Sequence, residues 1–284
     1  MMPRRLIMMV FVSRMRLTFL TQKTIMSDRN IKGIRALVTG ATSGIGKAIA
    51  QAIAQRGGNV LATARRSQRL IELAASSDGR IQWEAGDQTD ATFREHLIAS
   101  LNTRLGGLDL LVLAAGVGGI GRFETSPKES LESMLAIDLV APAELARNAI
   151  ATLRVGNRPG IVFIGSILGY QGFPLHAEYC ATKFALRGLA NSIRLELQDD
   201  SIDVMLVSPG PTQSEFWNRL LHGSRPHWSR GLPMEASQVA EAVLRGLVKG
   251  QREVIPGFSN RWFVRASILF PRLLDRFIQK VSQS

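Results

Sequence analysis

Short apolar runs alternate along this chain with longer segments whose apolar positions recur every three or four residues. The runs are Ile34–Thr39, Asn59–Ala64, Arg80–Ala85, Leu108–Ala114, Ile161–Ile164, Ile202–Val207 and Arg252–Ile255. Their length and apolar character predict strands of a buried sheet. Between them the spacing predicts helices over Ile45–Gln55, from Thr89 onward, around Ser130–Leu153 and over Ala181–Leu197. Strands alternating with helices predict an α/β fold, a doubly wound parallel sheet of about seven strands with helices on both faces. No internal repeat and no linker divides the pattern, so it predicts one domain over residues 31–257, between segments 1–30 and 258–284.

In such a sheet, ligands bind beyond the carboxyl ends of the strands, and the unusual residues of this chain cluster there. The first strand runs into TGATSGIG, where Gly40, Gly44 and Gly46 punctuate a turn before a helix. Glycines let backbone approach a pyrophosphate, and a helix N-terminus offers free N–H groups and a positive dipole. The spacing is G-x-x-x-G-x-G rather than the commoner G-x-G-x-x-G. The second strand ends in Arg65-Arg66, where an NAD site carries an acid for the ribose hydroxyls. Forked, cationic arginine suits the 2′-phosphate of NADP instead; the alternative is a solvated pair opening the next helix. Asp87, after the third strand, is placed to accept from an adenine amino group or to cap the helix from Thr89. Ala115-Gly116 and Ser208-Pro209-Gly210-Pro211 end two further strands.

The fifth strand ends at Ser166. Tyr179 follows thirteen residues later and Lys183 four after that, one helical turn apart on one face. A free phenol titrates near pH 10 and is a weak acid or base at neutrality. A neighbouring ammonium, and the charge of an oxidised nicotinamide, favour phenolate and are expected to bring Tyr179 towards the range where general acid–base catalysis is efficient. Ser166 can hold the oxygen of an alcohol or carbonyl beside the phenol. A surface tyrosine and lysine on an amphipathic helix is the plainer alternative; the serine and the glycine turn weigh against it.

Taken together, Thr39-Gly40-x-x-x-Gly44-x-Gly46, Ser166, Tyr179-x-x-x-Lys183 and Pro209-Gly210 resemble the classical short-chain dehydrogenase/reductase family over roughly residues 31–257. The resemblance implies a Rossmann-type domain that moves hydride between a nicotinamide and a carbonyl or alcohol, with NADP as cofactor. It implies Tyr179 as acid/base, Lys183 as the group that lowers its pKa and binds the nicotinamide ribose, and Ser166 as the residue positioning substrate. The cofactor-binding set it implies is Gly40, Thr42, Ser43, Gly44, Ile45, Gly46, Arg65, Arg66, Asp87, Gln88, Ala115, Gly116, Pro209, Gly210, Thr212 and Ser214, with Tyr179 and Lys183. The family's Asn-Asn-Ala-Gly is here Leu113-Ala114-Ala115-Gly116, so polar anchoring of that strand end is expected to be lost. The family's catalytic asparagine is matched by Asp138, which can accept from water, cannot donate, and is expected to raise the Lys183 pKa. The resemblance also implies a homodimer or homotetramer.

Composition refines this picture at the two ends. The formal charge is +12, of which residues 1–30 hold +5 and residues 261–284 hold +4, leaving +3 for the remainder. Basicity confined to the tails points to an anionic surface rather than to the core's chemistry. The single cysteine, Cys180, fits a reducing compartment, hence the cytoplasm, and a packing role. No His/Cys/Asp cluster has metal-ligand spacing. The apolar run Leu6–Val12 is too short to span a bilayer; the segment reads as a basic tail, a targeting segment, or an extension upstream of a start at Met26. In 261–284, Arg261, Arg265, Arg272, Arg276 and Lys280 form one helical stripe that Pro271 kinks or splits. Either this segment lies on an anionic membrane, or it packs on the catalytic domain or a partner subunit with its arginines solvated.

A segment between Pro211 and Pro233 is expected to close over substrate with Phe216, Trp217, Leu220, Leu221 and Trp228, while Leu168, Tyr170, Phe173 and Leu175 line the approach. His176 and His222 are in reach of substrate. Such walls favour an apolar alcohol or ketone. Two other function classes remain: a catalytically weak NADP-binding regulator or scaffold, and nucleic-acid binding through the tails. The tails lack interleaved stacking aromatics or a reading module, so no nucleic-acid partner is expected.

Overall fold

The computed structural model describes residues 29–225 and 233–283. Seven parallel strands form one sheet in the order β3-β2-β1-β4-β5-β6-β7. They are β1 (Arg35–Thr39), β2 (Asn59–Ala64), β3 (Ile81–Ala85), β4 (Leu110–Leu113), β5 (Gly160–Ile164), β6 (Asp203–Val207) and β7 (Glu253–Val254). The order reverses between β1 and β4, which opens a crevice at their carboxyl ends. Ala36–Val38 of β1 pair with Val60–Ala62 on one side and Leu110–Val112 on the other.

Alternating side chains of each strand feed two cores. Ala36, Val38, Leu110, Val112, Val162 and Val207 pack beneath helices α1 (Gly44–Gln55), α2 (Ser67–Ala75) and α7 (Ala236–Val248). Leu37, Leu111, Leu113, Ile161, Phe163 and Leu206 pack beneath α3 (Ala91–Leu105), α5 (Ala141–Arg154) and α6 (Ala177–Glu196). Burial on both faces is why the strands read as continuous apolar runs.

Four boundaries differ from the sequence expectation. The domain does not begin at residue 31: Arg29 is buried, its guanidinium donating to the carbonyls of Arg158 (2.6 Å) and Pro159 (3.0 Å) and to Asp203 (3.1 Å). The readings of residues 1–28, a start at Met26 included, lie outside the described residues. Asp87 does not cap α3; Asp90 does, accepting from Thr92 N, while Asp87 closes a turn on Thr89 N and Oγ1 at 2.9 and 2.8 Å. Helix α6 begins at Ala177 rather than Ala181, because Cys180 N donates to His176 O (2.8 Å) and closes a turn four residues earlier. The expected helix around 130–153 is α4 (Lys128–Leu135) and α5, joined by a π-helical segment, Ala136–Val140. That bulge carries Asp138, and such bulges are frequent at functional sites.

At the C-terminus Pro271 splits the helix, as its missing N–H and bulky ring require. The halves are α8 (Phe258–Leu269) and α9 (Pro271–Gln283). Val264 and Ile278 are buried, so both halves pack on the domain.

Candidate active site

The glycine turn, Arg65-Arg66, Ser166, Tyr179, Lys183 and Pro209-Gly210 converge on one cleft of about 630 Å³ at the carboxyl ends of the strands. It starts where β1 stops. Gly40 adopts φ +65°, and a Cβ there would meet Ala115 Cα at 2.7 Å, so glycine lets β1 and the end of β4 approach. Ser43 precedes α1 with extended backbone and makes no side-chain cap. The first-turn N–H groups of α1 thus have no capping side chain, the arrangement that suits a bound phosphate.

Arg65 and Arg66 stand at the end of β2 on the same cleft. The Arg65 side chain is 62% exposed and lies 3.8 Å from Asp87. Arg66 is tied down: Nη2 donates to Thr42 Oγ1 at 2.8 Å and Nη1 to Glu215 at 2.8 Å. Thr42, Ser43, Gly44, Ile45, Asp87, Gln88, Ala115, Gly116, Pro209, Gly210, Thr212 and Ser214 also line the cleft. Gly46 does not; it packs under the turn against Gly40 O. Gln88 donates to Ile137 O (3.0 Å), fastening the loop after β3 to the π segment. An uncapped helix, a glycine turn and two arginines at the end of β2 fit a nicotinamide dinucleotide.

At the other end of the cleft stand Ser166, Tyr179 and Lys183. Ser166 caps the 3-10 turn Ile167–Gly169, accepting from Leu168 N at 3.1 Å. Tyr179 and Lys183 leave the first turns of α6, and the ammonium lies 5.4 Å from the Tyr179 ring centroid. Asp138 sits behind the lysine, off the cleft, 1% exposed. Its Oδ2 is 3.3 Å from Lys183 Nζ, and its Oδ1 accepts from Val117 N at 2.9 Å.

That last bond corrects the expectation of lost anchoring. Thr39 Oγ1 also accepts from Ala114 N (3.0 Å) and Ala115 N (3.2 Å). Backbone N–H groups, held by a threonine and by Asp138, replace side-chain amides, which frees Leu113 to join the core.

The electrostatics differ in part from expectation. Burial raises the Tyr179 phenol; Lys183 and a hydrogen bond with Ser166 pull it down, Asp138 pushes it up, and the net direction is upward. The lysine acts with the expected sign, but desolvation outweighs it. Burial pulls the Lys183 ammonium down, yet Asp138 and then Tyr179 outweigh it, and its pKa rises. Burial also pushes the Asp138 carboxyl up, against the opposing pull of Lys183 and the Val117 N–H. The direction that decides the chemistry is the lysine's, since it stays protonated throughout the neutral range.

The apolar wall is partly as expected. Leu168, Phe173, His176, Phe216 and Trp217 line the cleft, and the Phe216 ring lies 5.6 Å from that of Tyr179. Tyr170, Leu175, Leu220, Leu221 and His222 do not line it. Tyr170 bonds Glu253 and stacks under Arg187, while Leu175 points outward at φ +66°. His222 lies 3.4 Å from Glu178, which also accepts from Ser130 at 2.7 Å. Trp228 falls outside the described residues. Burial keeps the His176 imidazole pKa low, with Nδ1 2.8 Å from Pro174 O.

Two groups escaped the sequence reading. Phe263, Phe277, Ile278 and Val281 bring α8 and α9 onto the cleft; the amphipathic pattern announced two helices but not which wall they complete. Glu215 binds Arg66, Arg69 and Arg219; a glutamate following Ser214 gave no sign of partners 149 and 146 residues away.

Over residues 35–224 the chain matches the family model described as short chain dehydrogenase. Hydroxysteroid 11-beta-dehydrogenase 1-like protein A from Xenopus laevis is 31% identical over 261 residues, covering 89% of this chain and 88% of its own. A short-chain dehydrogenase from Sphingobium yanoikuyae, solved in complex with NADPH, is 26% identical with a TM-score of 0.72, over 85% of this chain and 96% of that one. A short chain dehydrogenase/reductase from Burkholderia phymatum, in complex with NAD, has a TM-score of 0.78 at 18% identity, over 86% and 96% of the two chains. At that identity the likeness concerns the fold alone.

The packing of Gly46 yields a prediction. A Cβ there would lie 2.6 Å from Gly40 O and 2.9 Å from Thr39 O, both backbone atoms that cannot swing aside. Gly46→Ala is expected to lower stability by about 1–3 kcal/mol, read as a reduced midpoint in urea, and to weaken nucleotide binding with it.

Proposed function

The chain belongs to the short-chain dehydrogenase family, and on that premise we propose that it is an NADP(H)-dependent oxidoreductase interconverting a secondary alcohol and a carbonyl on a hydrophobic substrate. The observation that carries the reading is the meeting of Ser166, Tyr179 and Lys183 on a cleft whose far end is a glycine turn flanked by Arg65 and Arg66. The bound cofactor supplies a site that gives or takes a hydride. Tyr179 gives a proton to the substrate oxygen in reduction and takes it back in oxidation. Ser166 hydrogen-bonds the same oxygen and holds it within reach. Lys183 keeps a positive charge beside the phenol, and Asp138 keeps that lysine charged.

Phe173, Phe216, Trp217, Phe263, Phe277 and Ile278 support an apolar substrate, as does the name of the hydroxysteroid dehydrogenase-like relative. The choice of NADP rests on Arg65 and Arg66, and the NADPH-bound structural neighbour agrees with it. A cytoplasmic homodimer or homotetramer is part of the same reading. The altered positions Leu113, Ala114 and Asp138 favour a second one, a catalytically weak NADP-binding regulator or scaffold.

The two readings part on turnover. With a panel of steroid, aliphatic and acyl ketones, the enzyme reading expects NADPH oxidation that Tyr179→Phe reduces by about a hundredfold or more, with nucleotide affinity kept. NADPH binding without turnover on any ketone leaves the regulator.

Asp138 sets the pH dependence. Its charge raises the Tyr179 phenol directly, so Asp138→Asn lowers that pKa as long as Lys183 stays protonated. Alcohol oxidation needs the phenolate, hence the acid limb of kcat/KM should move to lower pH; an unmoved limb contradicts the coupling. Turnover at the new optimum should be kept or raised, and a loss beyond about tenfold, roughly 1.4 kcal/mol, would give the carboxylate a role of its own.

The C-terminal helices support a surface role as well. Both pack on the domain, yet Trp262, Ile268, Leu269, Phe270 and Leu273 stay exposed among Arg261, Arg265, Arg272, Arg276 and Lys280. We read this face as a peripheral contact with an anionic membrane. No helix of the described residues is long and apolar enough to cross one. Because α9 completes the cleft, the test is substitution rather than deletion. Leu269→Glu with Leu273→Glu should abolish co-sedimentation with anionic vesicles and leave ketone reduction intact; equal sedimentation of both proteins rejects the contact.

A further inference from the structure

A single carboxylate gathers three guanidiniums at the phosphate end of the cleft. Glu215 accepts from Arg66 Nη1 (2.8 Å), from Arg219 Nη2 (2.7 Å) and from Arg69. Arg66 and Arg69 belong to the start of α2, whose first turn has no side-chain cap. Glu215 comes from the opposite rim, where it opens the 3-10 segment Glu215–Arg219. That segment crosses the cofactor cradle. Ser214 lies so close to Gly44 that a Cβ there would meet it at 2.8 Å. Phe216, next to the carboxylate, packs against Gly118 and on the Tyr179 ring.

We propose that Glu215 is a placeholder for the 2′-phosphate of the cofactor and a latch on the substrate-side segment. The proposal rests on the NADP reading and deepens it. Arg65, Arg66, Arg69 and Arg219 carry four positive charges, offset by Asp87 and Glu215. Once Glu215 leaves, +3 remains at the cluster, and a dianionic phosphate outcompetes a monoanionic carboxylate for its forked guanidiniums. The carboxylate occupies the arginines, and Phe216 beside it lies against Tyr179. A 2′-phosphate takes the arginines, releases Glu215, and lets Phe216 move off the phenol. A nucleotide without that phosphate leaves the latch closed. Discrimination between the two cofactors and opening of the substrate side thereby share one carboxylate. Pairs still partly open to solvent, as these are, are individually weak, so the latch yields to ligand.

The test uses the full chain, its Glu215→Gln variant, and Glu215→Ala as a second removal of the charge. Calorimetric titration with adenosine 2′,5′-bisphosphate and with adenosine 5′-monophosphate measures the phosphate's share without a nicotinamide. The latch predicts that Glu215→Gln tightens the bisphosphate about five- to tenfold and leaves the monophosphate within about twofold. It also predicts that the nucleotide-free variant shifts the emission of Trp217, whose ring lies 5.5 Å from Phe216, towards that of the bisphosphate-saturated parent; a Trp217→Phe control isolates the signal. A preference for the bisphosphate of equal size in both chains keeps the NADP reading and overturns the latch. No preference in either chain overturns both. Weaker bisphosphate binding by the variant would make Glu215 a clamp on bound cofactor and likewise overturn the proposal.

Discussion

The site is organised around a buried ion pair. Lys183 and Asp138 lie 3.3 Å apart with almost no exposure. Desolvation alone pulls the pKa of an ammonium in such a place down. The carboxylate prevents that, and the lysine's charge is then available to the phenol beside it. The same carboxylate acts on the phenol in the opposite sense, because its own charge disfavours phenolate. The pair therefore gives a lysine that is reliably cationic and a tyrosine that stays protonated until another positive charge arrives. An oxidised nicotinamide ring is such a charge. Breaking either half of a pair this deep leaves the other uncompensated, which is far costlier than the pair's net contribution to stability.

The fold supplies the geometry for that pair from three separate elements. The π segment between α4 and α5 brings Asp138 inward, the first turns of α6 carry Tyr179 and Lys183, and the loop after β4 is bound to Asp138 through Val117 N. All three meet beside the β1/β4 reversal of strand order, where the glycine turn opens α1. Nucleotide cradle and proton-transfer group are thus two ends of one crevice, not two sites brought together by chance. The C-terminal helices then complete its apolar wall.

Much of this was legible from spacing. Strands buried on both faces leave uninterrupted apolar runs, so β2 was read to the residue and the others to within a few. Ser166, Tyr179 and Lys183 were legible because a serine thirteen back and a lysine four on are fixed by a strand end and a helical turn. What depends on long-range contact was not. The bulge at Asp138 has no signature in local pattern, since Ala136–Val140 contains neither Gly nor Pro to mark a break. The anchoring by Thr39 Oγ1 was missed because two side-chain amides vanished from the sequence while the backbone N–H groups, which every residue carries, found a partner. Net pKa direction at Tyr179 depends on desolvation, which no sequence spacing reports. Arg29 reads as part of a basic tail because its partners, Arg158, Pro159 and Asp203, lie far along the chain.

The chain has only two tyrosines, Tyr170 and Tyr179, which makes the central claim directly measurable. In a Tyr170→Phe background, tyrosinate absorbance followed against pH reports Tyr179 alone. The account predicts that the nucleotide-free protein titrates above the ordinary phenol value of about 10, and that saturating oxidised cofactor brings the titration down. A phenol already at or below that value in the free protein, or one the cofactor leaves unmoved, would contradict it.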